Sequence, residues 1–270
     1  MSKYGRVPTR GSREGHCNIC DIYGQLTEDH VPPKGIAKLR QVEMLHITDL
    51  LRVDRPHSNK RYMQSGMHFR TLCKRCNTEL LGSKYDPDLI NVSNAVANYL
   101  KSALTLPAAM SIKVRPGYIA RAVLGHLMAL GLDRRNKGTA GESASRFFLD
   151  ENESMPDSID IYYWVYPYRR QIAIRDAGMS VNYWKEFTVF WCLKYFPLGF
   201  LVMWDKKPTV ATNLKNLRDY MLGAGTSEIE LPFNLTAIPR QDFPEAPHDN
   251  NMVLYGSDAV GALPKSNLIT

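Results

Sequence analysis

"MHFRTLCKRCN", residues 67–77, decides how the first third of this 270-residue chain is read. It ends in a Cys-x-x-Cys pair, Cys73 and Cys76, and an earlier pair, "CNIC", stands at Cys17 and Cys20. Two-residue spacing lets both thiolates of a pair reach one tetrahedral ion, and two such pairs close a structural zinc site. The spacing predicts a single zinc on Cys17, Cys20, Cys73 and Cys76; the alternative is two unrelated reduced pairs. His16 is a substitute ligand that four thiolates make unnecessary. The 52 residues between the pairs exceed a simple finger, so the pairs must bracket an inserted structure.

Within that insertion, "LTEDHVPPK" (26–34) places Asp29 beside His30 and then stops a strand with two prolines. Pro32 cannot donate to a sheet ladder and holds its predecessor extended. Adjacent residues on a regular strand face opposite ways. At a strand end, however, both groups are expected to turn toward a common ligand; the bland alternative is a solvated turn.

Composition sets the frame. Hydrophobic residues make up 44% and charged residues 23%, ordinary values for a globular protein. No apolar run approaches the roughly 20 residues of a membrane helix, and the N-terminus lacks a signal-peptide stretch. The expected location is cytoplasmic, where five cysteines are reduced, metal-bound or buried rather than disulfide-paired. Residues 1–85 hold fifteen Lys/Arg against eight Asp/Glu, a surplus equal to the whole chain's +7. A basic segment of this kind is the electrostatic footprint of a nucleic-acid binder, or else a basic surface kept for solubility.

The predicted fold class is α+β. Residues 1–15 read as a flexible basic arm, 16–85 as a small metal-held module, 86–230 as an α+β domain and 231–270 as an irregular tail. Asp86-Pro87 reads as an N-cap and first turn, opening a helix over 87–104, and a second helix spans 117–130. His126 falls on the apolar face of the second helix, where a hydrogen-bonded core histidine is expected. "IDIYYWVY", "QIAIR", "FTVFWCLKYF" and "LGFLVMW" read as strands of a small antiparallel sheet from residue 159. Cys192, inside one of them, is read as a buried apolar side chain.

The order "CNIC", "TEDHVPP", "MHFRTLC", "CKRCN" over residues 16–82 resembles an HNH endonuclease, in the branch whose ββα-metal core is clamped by a zinc ribbon. The resemblance implies His30 as general base, Asp29 and Asn77 as ligands of a catalytic Mg or Mn ion, and His68 as a supporting residue that ties down the inter-strand loop. It implies a short helix from about Lys74 to Leu81, ending at Gly82 and presenting Asn77. Neutral imidazole suits proton removal from water, and a hard cation suits the leaving 3′-oxygen. Lys34, Lys60, Arg61, Lys74 and Arg75 are candidate phosphate contacts, each equally well read as a solvated charge. His46 and His57 lie in the long inter-strand insertion. The nucleic acid is DNA before RNA, and restriction or anti-phage defence is among the settings such modules occupy. The alternative is a non-catalytic zinc-ribbon nucleic-acid-binding or adaptor protein. The region after residue 86 resembles no family and is expected to serve recognition, homodimer formation or a partner protein.

Overall fold

A computed structural model describes residues 7–36, 41–52, 60–102, 105, 107–134, 138–181, 186–204, 213–246 and 251–265. The chain is mixed α+β, with antiparallel sheets and few helices. Near the N-terminus, β1 (Glu14–His16), β2 (Tyr23–Val31) and β5 (Met67–Cys73) form a three-stranded sheet in the order β1-β2-β5. β2 stops at Val31, directly before Pro32, as the missing amide donor requires.

The insertion between β2 and β5 contributes β3 (Val42–His46), the single turn α1 (Ile47–Leu50) and β4 (Arg61–Met63). β3 and β4 are not part of this three-stranded sheet. They extend a nine-stranded sheet whose main body is β7 (Ile159–Val165), β8 (Gln171–Val181), β9 (Glu186–Tyr195) and β10 (Leu198–Trp204). The joint is β14 (Ala259–Pro264), which pairs β8 on one side and β3 on the other. β13 (Met252–Leu254) also pairs β8, and β11 (Lys215–Asn216) closes the far edge on β7. β12 (Ile229–Asn234) pairs β6 (Ala109–Val114) in a separate ribbon. The stretch expected to be an irregular tail therefore holds most of β12 and all of β13 and β14. Its Pro, Asn and Gly content masked short strands whose partners lie far away in sequence. β7 and β10 are buried at every position, because both faces of the sheet are covered.

Residues 7–15 of the expected flexible arm are packed. Val7 and Thr9 are buried, the Arg70 amide donates to the Thr9 carbonyl at 2.9 Å, and the Leu26 amide donates to Arg13 at 2.8 Å. Backbone bonds to β5 and β2 hold this segment despite its polar, Gly/Arg-rich composition.

After β5 the chain winds as a π-helix over Arg75–Tyr85 and runs directly into α2 (Asp86–Leu100), so the helix passes Gly82 rather than ending there. Pro87 sits in the first turn of α2, but Asp86 caps nothing: its carboxylate is taken by His126. The second predicted helix is α3 (Pro116–Met128), every residue of which is buried. α4 (Gly138–Leu149) follows. One buried cluster runs from Val7 through Leu89, Leu124 and Leu193 to Ala262, so the boundary placed at 85/86 falls inside a continuous core. A second cluster, with Leu45, Trp164, Ile174 and Leu201, fills the other side of the large sheet. Cys192 lies in it, with burial pushing its thiol far up, as a buried apolar side chain should behave.

Candidate functional site

The cysteines come together at the base of β2 and β5. Cys17 opens a tight turn in which the Asp21 amide donates to the Cys17 carbonyl at 2.9 Å, with Asp21 left-handed at φ 60°. Cys73 ends β5, and Cys76 lies in the first turn of the π-helix. The sulfurs of Cys17, Cys20, Cys73 and Cys76 all lie within 4.8 Å of one another, with Cys20 and Cys73 at 3.7 Å. A tetrahedron with metal–sulfur bonds of about 2.3 Å has edges of about 3.8 Å. The cluster can therefore hold a metal ion such as zinc. The hydrogen bond from Cys76 holds the Cys17 thiol down at about 5, while that same contact and burial push Cys76 up. A bound cation favours thiolate at every ligand position. His16 is not needed: its ring nitrogen is 2.8 Å from the Asp21 carbonyl.

The other end of the hairpin carries the histidines. In the β2/β5 register, Glu28 faces Arg70, Asp29 faces Phe69 and His30 faces His68. Alternation then puts Glu28, His30, His68 and Arg70 on one face, and Asp29 with the buried Phe69 on the other. The His30 and His68 rings are 5.4 Å apart. Partial burial, followed by the charge of Lys34 and the field of His68, lowers His30 to about 4, so its ring is neutral at pH 7. Arg10 can only donate, so its 3.0 Å contact makes His68 Nε2 an acceptor; His68 Nδ1–H then donates to the Gly66 carbonyl at 3.2 Å. That bond fastens the turn between β4 and β5. Glu28 joins the group through Arg10 at 2.8 Å and Arg70 at 3.0 Å. Burial alone would raise the Glu28 carboxyl, but these guanidinium partners hold it below its ordinary value.

Asp29 does not share this face. Its carboxylate is buried and lies 3.0 Å from His126 Nδ1; His126 Nε2 lies 2.9 Å from Asp86. The expectation that Asp29 and His30 turn to one ligand is corrected. Beyond the bulge at Thr27/Glu28, β2 keeps its alternation to the last residue, and a cationic ring on α3 claims the inward carboxylate. Although burial opposes its charge, the carboxylates on both sides raise His126 to about 10. Asn77 spends its amide nitrogen on Thr27 Oγ1 at 2.8 Å and on the Glu28 carbonyl at 3.1 Å, pinning the π-helix to β2 where the ladder is bulged. With Asp29 turned into the core, it does not share an open face with His30; the Asn77 bonds use the amide nitrogen, not the Oδ1 expected to meet a catalytic Mg or Mn ion. His126 is the hydrogen-bonded core histidine its apolar face predicted.

Among the candidate phosphate contacts, Lys34, Lys74 and Arg75 are exposed. Lys60 is paired with Glu43 at 2.8 Å, and Arg61 donates to the Val7 carbonyl at 3.3 Å, so both already have partners. His46 caps α1 and contacts the Gly256 carbonyl at 2.9 Å. His57 lies outside the described residues. The sequence reading does not place Glu28, Arg10 or Arg70 at the site, and gives Asp86 only as a helix cap. Glu28 and Arg70 were within reach, since each stands two residues from a histidine on its own strand and so shares its face. None of the described helices is long and apolar enough to cross a membrane. Comparison with protein-family models, with curated proteins and with solved structures gives no match.

Proposed function

We propose that the chain is an HNH-type endonuclease that hydrolyses phosphodiester bonds of nucleic acid, DNA first, with His30 as general base. The four cysteines would hold a structural zinc that fixes the frame around the base. What carries the reading is the His30–His68 pair at the open end of the cysteine-clamped hairpin, with Arg10 and Lys34 beside it. A neutral, half-exposed imidazole can take a proton from an attacking water. The guanidinium and ammonium groups attract the phosphate that the water attacks. His68, with its tautomer fixed by Arg10 and Gly66, positions the loop and does not itself transfer a proton. The resemblance calls for Mg or Mn at the leaving oxygen, but no step is assigned to that ion, because Asp29 lies on the opposite face.

The test is plasmid nicking with Mg²⁺, with Mn²⁺ and with EDTA, run beside single-stranded DNA and tRNA. His30→Ala should lower the rate by about 10²–10⁴ while metal content and nucleic-acid binding stay unchanged. Full activity in that variant overturns the mechanism. A defence role belongs to the same proposal and predicts that phage plating recovers on cells carrying His30→Ala. One observation favours a second reading, a non-catalytic zinc-ribbon nucleic-acid-binding or adaptor protein: the withdrawal of Asp29 into the core. Binding without cleavage under every metal condition would establish it.

A further inference from the structure

Between β1, the start of β2 and the turn at residues 132–133 lies a concave cavity of about 330 Å³. That is the lower end of the range for ligand pockets, about 300–1,000 Å³. Leu26 and Leu132 give it apolar walls, while Glu14 and Arg70 supply polar groups. Tyr23 lines it with 61% of its surface exposed, beside Ile22 at 60%. The Tyr23 ring meets His16 edge-on at 5.2 Å, and the His16 ring is itself held by the Asp21 carbonyl. The hairpin carrying both rings closes through the turn that contains Cys17 and Cys20. An exposed aromatic face on a stiff support is therefore presented at the edge of a small, partly apolar cavity.

This is the chemistry of a stacking platform: sequence-tolerant on the ring face, selective only at the polar edge. The edge carries an exposed carboxylate, Glu14, which makes the cavity a poor place for a phosphate. A carboxylate instead accepts from an exocyclic amino group, as Glu and Asp do from cytosine N4. We infer that the cavity takes one unpaired, amino-bearing nucleobase, cytosine foremost, stacked on Tyr23. This deepens the nucleic-acid reading above and rests on it. Leu26 and His30 are four residues apart on β2, about 13 Å along the strand. A base held here would lead its own backbone along β2 toward the His30–His68 pair, and the single strand would be positioned by a contact that duplex DNA cannot make.

The experiment is equilibrium binding of short labelled oligo(dC), oligo(dT) and a duplex to the full chain without added divalent ions. Oligo(dC) should bind more tightly than oligo(dT). Tyr23→Ala should weaken oligo(dC) by about tenfold to a hundredfold and leave the duplex within about twofold, the size of one lost stacking contact. Glu14→Met, which has no oxygen acceptor, should erase the preference for oligo(dC) over oligo(dT). Tyr23→Trp should keep the affinity, and its added emission should be quenched by oligo(dC); this decides the matter even where Tyr23→Ala fails to fold. Absent single-strand binding, equal losses for duplex and single strand, or unquenched emission would overturn the pocket. Failure of the nuclease reading is separable, since it appears as missing nicking with this binding intact.

Discussion

On the outer face of β2 and β5, His30, His68, Arg10 and Arg70 keep part of their surface in water; on α3, Arg121 and His126 keep none. Arg121 donates to six backbone carbonyls, of Gly117, Phe147, Asp150, Glu151, Glu153 and Ala224, at 2.8–3.1 Å, and stacks over Phe147 at 3.9 Å. His126 has a carboxylate on each ring nitrogen. The same residue types thus have two fates. On α3 every donor is used and the groups tie elements together. On the β2/β5 face His30, Arg10 and Arg70 stay partly accessible above a nearly buried His68, so a ligand can still be met. Burial with full hydrogen bonding marks structure, and accessibility beside charged neighbours marks a candidate site.

The comparison can be broken most forcefully at the cysteines. Metal in a site of this kind supplies on the order of 10 kcal/mol of apparent folding free energy. Cys73→Ser should therefore unfold the hairpin, with metal content by mass spectrometry falling from one zinc per chain toward none. Protein purified without chelator and already free of metal would remove the clamp from the account.

His126 comes next. His126→Leu leaves the Asp29 and Asp86 carboxylates buried without their cation, a loss of about 3–5 kcal/mol for a broken buried ion pair. The pH dependence has a definite sign. The ring titrates at about 10 in the folded chain against 6.5 as its ordinary value, so its contribution is present below 6.5 and disappears as pH rises through 10. Thermal unfolding followed from pH 6.5 to 10 should show this decline in the wild type and not in His126→Leu. A variant matching wild-type stability would mean that Asp29 is free to serve elsewhere.

The smallest effect is expected on the hairpin face. Arg10 is 48% exposed, so Arg10→Ala should cost no more than about 1 kcal/mol, as exposed ion pairs do. Its larger consequence should be weaker nucleic-acid binding with a shallower salt dependence. A stability loss comparable to that of His126→Leu would erase the distinction between the two regions.

Local pattern in the sequence carried the cysteine cluster, the end of β2 before Pro32, the two helices that run over Asp86–Leu100 and Pro116–Met128, and the strands from residue 159. Each depends on residues a few positions apart: thiol spacing, a missing amide donor, helical or strand periodicity. The residue types at the candidate site were legible for the same reason. What tertiary structure alone decided is which of them meet. Glu43 in the insertion pairs with Leu263 near the end of the chain, a register no local signal encodes. Asp29 and His30 are adjacent in sequence yet face different surroundings, because the pleat separates them and a histidine 97 positions away on α3 takes the inward one. Sequence fixes which groups a strand can offer; the elements packed on its two faces determine which of those groups are neutralised in the core and which remain open to a ligand.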